Sequence, residues 1–100
     1  MDKREAINKV KAYRQLLKDH LRFEDMYLFG SYAKDNYHED SDIDVAIVVD
    51  HIEDDYFSIA PLLWKLRRQI DDRIEPVLIE KDFDDAGFLC EIQKHGIKIT

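Results

Sequence analysis

The chain has 100 residues, 45% of them hydrophobic and 37% charged, which predicts a single folded domain over 1–100 rather than a disordered segment. Its formal net charge of −7 disfavours strong direct binding to nucleic acid, because such binding depends on lysine and arginine side chains that neutralise phosphates. One cysteine excludes an internal disulfide, and no apolar leader or stretch of roughly 20 apolar residues is present, so we expect a cytoplasmic protein without a membrane span.

The first part of the chain predicts a helix and a buried strand. Apolar residues recur every three or four positions over 2–20, which is typical of an amphipathic helix. The short apolar run Met26–Phe29 indicates a strand that ends at Gly30. Ser31 can then cap a short turn or helix that runs to about Asp35.

A second strand follows a polar loop over 36–41. The run Asp42–Asp50 is rich in valine and isoleucine, which favour strands. Both faces of this strand are apolar beyond its first residues. It therefore belongs in the interior of a sheet, with its acidic start at a crevice.

The second half of the chain continues the alternation of helices and strands. In chain order we predict an acidic loop over 51–55, a helix over 59–71, a strand over 74–79, a lead-in over 83–86, a helix over 88–95 and a last strand over 97–99. Ser58 would cap the first of these helices, with Pro61 in its first turn, and Gly96 would end the second. Pro76 suits an edge strand. The order α-β-α-β-α-β-α-β predicts an α/β fold in which helices pack on a small mixed sheet.

Two carboxylates stand at the start of the second predicted strand. Residues two apart on a strand point to the same face, so Asp42 and Asp44 should project together. Such a pair can bind Mg²⁺, and two metal ions about 4 Å apart can clamp the attacking and leaving oxygens of an in-line displacement. Glu75 occupies the equivalent position at the start of the next strand and is the candidate third carboxylate. Taken alone, the acidic pair also fits the solvated start of an ordinary strand.

The turn after the first strand decides between these two interpretations. Gly30 permits close approach of a phosphate, and backbone N–H groups after Ser31 can bind its oxygens. A small-residue turn after one strand, followed by paired aspartates at the start of the next, predicts a phosphoryl-transfer site.

These residues resemble the minimal nucleotidyltransferase family of the DNA-polymerase-β-like superfamily. The resemblance rests on the Gly-Ser turn at Gly30 and Ser31, the Asp-x-Asp strand at Asp42 and Asp44, and the later acidic residue Glu75. It covers nearly the whole chain and implies the nucleotidyltransferase, or polymerase-β palm-like, fold. The implied reaction is Mg²⁺-dependent transfer of a nucleoside monophosphate from an NTP, with ATP the expected donor, to an acceptor hydroxyl.

The resemblance also implies roles for individual residues. Asp42 and Asp44 would hold two Mg²⁺ ions, and Glu75 would ligate the catalytic ion and help to deprotonate the acceptor. The nucleotide phosphates would be bound by Gly30, Ser31 and Lys34. This chain has Lys34-Asp35 where the family often has Arg-Gly, and Glu75 where the family commonly has Asp. Lysine keeps the charge of arginine but lacks its bidentate fork.

Proteins of this family are often encoded beside HEPN-domain partners, and some are antitoxins that adenylylate a HEPN ribonuclease. The resemblance therefore implies a HEPN-type protein partner in a toxin–antitoxin pair. Whether the chain forms homo-oligomers stays open. The alternative function is a binding module that neutralises its partner with little or no catalysis.

A haloacid-dehalogenase-type phosphatase is disfavoured, because there the nucleophilic aspartate follows a hydrophobic strand, whereas here the strand follows the acidic pair. Three further side chains have ordinary structural interpretations. His38 is expected to be a solvated loop residue, Trp64 a partly buried packing or interface residue, and Cys90 a core residue.

Overall fold

The computed structural model describes residues 1–50, 56–82 and 87–100, with no account of the side chains of residues 56 and 57. In chain order its elements are α1 (Lys3–Lys18), β1 (Asp25–Phe29), β2 (Ile43–Val49), α2 (Tyr56–Arg67), β3 (Ile74–Glu80), α3 (Phe88–His95) and β4 (Ile97–Lys98). The predicted α/β class is confirmed. The predicted acidic loop over 51–55 and lead-in over 83–86 lie outside the described residues.

The four strands form one mixed sheet in the order β3-β2-β1-β4. β2 pairs parallel with β3 and antiparallel with β1, and β1 pairs antiparallel with β4. The parallel pair requires a crossover connection, which α2 provides. β2 is thus an interior strand, as its two apolar faces predict, and Pro76 lies on the edge strand β3, as expected.

The two faces of the sheet are covered unequally. On one face, Ile43, Val45 and Ile47 of β2 join the larger core cluster with buried residues of α1 and α2. On the other face, the alternate β2 residues Ala46 and Val48 join a smaller cluster completed by α3. Asp44 shares the alternation of Ala46 and Val48, so its side chain belongs to the α3 face.

Helix α1 follows the periodicity of its sequence. Asp2 is its N-cap and accepts a hydrogen bond from the backbone N–H of Glu5. Its buried residues are spaced by three or four positions, namely Ala6, Val10, Tyr13 and Leu17. The Tyr13 hydroxyl donates to the Leu63 carbonyl at 2.9 Å, which ties α1 to α2 and satisfies a buried polar atom.

Two local predictions are wrong. Of the turn or short helix predicted after Ser31, residues 31–35 form the turn, so the predicted order with a helix here is wrong and the element order is α-β-β-α-β-α-β. Helix α2 begins at Tyr56, which places Ser58 and Pro61 inside it instead of at a cap and in a first turn. It also ends at Arg67, because residues 68–70 bond to carbonyls three positions back and the Arg67 side chain donates to the Asp72 and Ile74 carbonyls.

The three side chains with ordinary interpretations give mixed results. His38 is exposed, as predicted. Trp64 is 42% exposed, with the Arg67 guanidinium 4.5 Å from its ring centroid, which agrees with a partly buried residue. Cys90 is exposed and the core prediction is wrong, because α3 turns Leu89 and Ile92 toward the sheet instead.

Asp71 anchors the connection between α2 and β3. Its carboxylate accepts hydrogen bonds from the side chain of Arg73 at 2.9 and 3.1 Å and from Lys9 of α1 at 2.5 Å. The Arg73 hydrogen bonds, with further help from Lys9, hold the pKa of Asp71 well below its usual range. The backbone carbonyl of Arg73 also accepts from Ile43 at the start of β2, so this network reaches the carboxylate-bearing end of the sheet.

We expect Asp71→Asn to lower the free energy of unfolding at pH 7 by about 2 kcal/mol, the scale of a charge-assisted hydrogen bond. A carboxyl whose pKa is lowered by folding stabilises the fold above its unfolded pKa of 3.8 and loses that effect as the pH falls below it. Urea unfolding at pH 7 and at pH 3 measures both effects, and the variant's deficit should shrink at pH 3. Asp72→Asn, which changes an exposed neighbour, is the control and should change little. Equal losses in the two variants would contradict the prediction.

Candidate active site

Three strand ends bring the candidate carboxylates and the glycine turn together. The parallel register places Asp44 of β2 beside Glu75 of β3, and the antiparallel register places Asp44 beside Phe29 of β1. Gly30 directly follows Phe29. Because β1 runs opposite to β2 and β3, its C-terminal end meets their N-terminal ends.

Asp44 and Glu75 form an interacting carboxyl pair. Burial raises the pKa of Asp44 to about 6, with further contributions from the charges of Glu75 and Asp42 and from a side-chain hydrogen bond with Glu75. Burial and the neighbouring negative charges disfavour ionisation of Asp44, and a cation bound here would favour its charged form.

Gly30 lies against the Asp44 carboxylate. Its φ is +74°, and a Cβ atom built on it would stand 2.2 Å from Asp44 Oδ2. Both the backbone conformation and the contact exclude a side chain at this position. From the sequence we expected Gly30 only to allow a phosphate to approach. In the structure its missing side chain also leaves room for the Asp44 carboxylate.

The turn after Gly30 is held by contacts along its length. Lys34 N–H donates to the Gly30 carbonyl and Asn36 N–H donates to the Ser31 carbonyl, both at 3.1 Å. Lys3 of α1 forms an ion pair of 2.9 Å with Asp35, which itself has a φ of +62°. The turn thus carries Gly30, the partly buried Ser31 and the exposed Lys34 as one unit.

Two tyrosines that the site prediction missed support this unit. Tyr32 is fully buried, and its ring stacks on Tyr37 with centroids 4.6 Å apart. Tyr32 belongs to the turn and Tyr37 to the loop before Asp42, so the stack joins the two halves of the site. The sequence signal was a pair of aromatic residues within an otherwise polar connection.

Asp42 lies outside the strand, which corrects the predicted start of β2. The strand begins at Ile43, and Asp42 is exposed in front of it. Its charge still raises the pKa of Asp44. Within residues 1–50, 56–82 and 87–100, no group of three or more His, Cys, Asp or Glu side chains is arranged to hold a metal ion.

The donor set nevertheless fits a hard divalent cation. Asp44 and Glu75 offer adjacent carboxylate oxygens, and the charges of Glu75 and Asp42 raise the pKa of Asp44, so positive charge is favoured at this position. Magnesium sites for nucleotides commonly use one or two carboxylates, with phosphate and water oxygens completing the shell. A substrate would therefore supply ligands that the chain alone does not.

A cavity of about 280 Å³ adjoins the turn on the α3 face. Phe29, Gly30 and Lys34 line one side of it, and Phe88, Glu91 and His95 of α3 line the other. We call this cavity the α3 groove. Gly30, which lines this groove, also lies against Asp44.

The site's layout agrees with a family comparison. Residues 11–100 match the family model described as polymerase beta, nucleotidyltransferase. The chain belongs to this nucleotidyltransferase family. The match includes both the glycine turn and the strands that carry Asp44 and Glu75, and the resemblance to minimal nucleotidyltransferases is confirmed. The protein is therefore a nucleotidyltransferase.

Similar proteins agree with membership of this family. A candidate protein adenylyltransferase of Methanocaldococcus jannaschii is 29% identical over 101 residues, covering 95% of this chain and 99% of that protein. A crystal structure of a candidate nucleotidyltransferase from Sulfolobus solfataricus has a TM-score of 0.71 at 18% identity, covering 96% of this chain and 80% of the other, and supports the fold.

Two further structures are toxin–antitoxin complexes. One, with AMP-PNP, has a TM-score of 0.70 and 27% identity over 93% of this nucleotidyltransferase and 73% of the matched chain. The other, the MntA–HpeT complex, has a TM-score of 0.67 and 25% identity over 94% of this chain and 72% of the matched chain. That complex carries a mutant in which two aspartates, two positions apart, are changed to glutamate.

No described helix is long and apolar enough to cross a membrane.

Proposed function

We propose that this nucleotidyltransferase transfers AMP from ATP to a hydroxyl group of a HEPN-type partner protein, as the antitoxin of a toxin–antitoxin pair. The observation that carries the proposal is the Asp44–Glu75 carboxyl pair held against the Gly30 turn. The adenylyltransferase relative and the toxin–antitoxin structures support the donor and the kind of partner.

Asp42, Asp44 and Glu75 would hold two Mg²⁺ ions together with the phosphates of ATP. When bound, these ions neutralise phosphate charge and make the acceptor hydroxyl more acidic. In the transfer, the acceptor oxygen forms a bond to the α-phosphorus, and the bond from that phosphorus to the bridging oxygen of pyrophosphate breaks. Glu75 would take the hydroxyl proton as the acceptor oxygen attacks.

The Gly30 turn would bind the leaving pyrophosphate. Gly30 and Ser31 present backbone N–H groups to the β- and γ-phosphates, and the exposed Lys34 ammonium adds a positive charge. The stack of Tyr32 on Tyr37 keeps this turn in position relative to Asp42 and Asp44. Positioning of this kind is a main part of phosphoryl-transfer catalysis.

A protein acceptor agrees with the charge of the chain. A net charge of −7 disfavours a free nucleic acid as substrate, whereas a tyrosine, serine or threonine hydroxyl can be presented by a bound partner. We expect the partner to be basic around the acceptor, because electrostatic attraction would then speed association.

Co-expression with the product of the neighbouring gene tests the proposal. We expect the two proteins to co-purify, and mass spectrometry of the partner to show the added mass of AMP when ATP and Mg²⁺ are present. Asp44→Asn should form the same complex without the adduct. A complex that never carries an adduct would support the alternative binding module, and efficient transfer to free RNA without any complex would contradict the proposed partner.

A further inference from the structure

The α3 groove is continuous with the proposed phosphate-binding turn. Gly30 and Lys34 belong to both, and the groove extends from them toward α3. A ligand whose phosphates lie on the turn could extend its remaining part into this groove. Among the described residues, the groove is therefore an adjoining surface that can recognise more than the phosphates.

The lining of the groove combines an aromatic wall with a charged rim. Phe29 and Phe88 meet edge to face with ring centroids 5.6 Å apart, and Phe88 remains 43% exposed. Glu91 and His95 lie on the same stripe of α3 as Phe88, and their side chains approach to 3.5 Å. Lys34 lies across from them on the turn.

This chemistry fits a nucleoside. A nucleobase has a flat apolar face suited to an exposed aromatic ring, and base–aromatic contacts contribute about 1–3 kcal/mol each. Its amino groups and the ribose hydroxyls are donors for which Glu91 supplies an acceptor. A volume of about 280 Å³ is near the lower end of small-molecule pockets, about 300–1,000 Å³.

We propose that the α3 groove binds the nucleoside of the NTP, with the base against Phe88 and the charged rim contacting its polar groups. This inference rests on the proposed function, since it places a second part of the same substrate beside the turn. It makes Phe88 a determinant of ATP affinity, although Phe88 is remote in sequence from both motifs.

Calorimetric titration with Mg-ATP and with Mg-tripolyphosphate tests the groove. Tripolyphosphate can occupy the turn but has no nucleoside. We expect Phe88→Ala to weaken ATP binding about tenfold or more while leaving tripolyphosphate binding unchanged, and Phe88→Tyr to restore ATP binding. Trp64→Ala is the matched control, since Trp64 is similarly exposed (42%) but lies on α2 in the opposite layer, and it should bind both ligands normally.

The possible outcomes separate this inference from the proposed function. Failure of the wild-type protein to bind either ligand would contradict the proposed function itself. Unchanged ATP binding by Phe88→Ala, or equal losses for ATP and tripolyphosphate, would overturn the groove assignment alone. If Phe88→Ala bound ATP normally but transferred AMP to the partner more slowly, the groove assignment would also be overturned, because the groove would then serve the acceptor.

Discussion

Asp44→Asn should reduce nucleotide transfer by more than about 100-fold. Removing even a residue that only supports a metal ligand typically lowers metal affinity or activity 10- to 100-fold. Asp44 is itself a proposed ligand, and it contacts both Glu75 and the Gly30 turn. The substitution keeps the shape of the side chain but removes its charge. Transfer of labelled AMP to the partner measures the loss.

The same variant should be more stable than the wild type without ligand. The pKa of Asp44 is raised from 3.8 to about 6, so folding favours its protonated form and ionisation of the group lowers stability as the pH rises through this range. With allowance for solvent screening at a partly exposed site, we expect a gain on the order of 1 kcal/mol at pH 7. The gain should vanish below about pH 4, where the wild-type carboxyl is protonated in both states.

Asp50→Asn is the matched control for both measurements. Asp50 is an exposed aspartate directly after the other end of β2, so its substitution removes the same charge outside the site. We expect normal transfer and little change in melting temperature in the presence of a chelator. Wild-type transfer by Asp44→Asn would refute the assignment of the site, and a lower melting temperature would refute the electrostatic interpretation.

Gly30→Ala should both destabilise the fold and inactivate the enzyme. A non-glycine residue in the left-handed region costs about 1–3 kcal/mol, and the new methyl group would also overlap Asp44 Oδ2 at 2.2 Å. Either the turn or Asp44 must then move. A displacement of about 1 Å in a catalytic group can cost 100-fold in rate. Chemical denaturation and the transfer assay measure the two effects.

Gly87→Ala separates the two causes. Gly87 also has a positive φ, +67°, but no atom of the residues that the structure describes lies within 4 Å of a Cβ built there. It should therefore lose stability through backbone strain alone and keep transfer activity. If the two alanine variants lost the same stability and both stayed active, the contact between Gly30 and Asp44 would have no role.

Local sequence patterns predicted much of the fold. The periodicity of α1, the apolar runs of β1 and β2, and the end of α3 at Gly96 all appear close to their predicted positions. These features depend on the spacing of apolar residues and on single capping residues. The C-terminal end of α2 was missed because the Arg67 side chain bonds to carbonyls beyond the helix, an interaction that no local rule contains.

The sequence by itself determined the family and the residue types of the site: a Gly-Ser turn, an Asp-x-Asp segment and a later glutamate. Only the tertiary structure decided how they meet. The parallel register sets Glu75 beside Asp44, the antiparallel register brings Gly30 under the Asp44 carboxylate, and α3 closes a groove with Phe88. Each of these contacts joins residues far apart in the chain, and the raised pKa of Asp44 arises from burial and neighbouring charges that exist only after the sheet has formed.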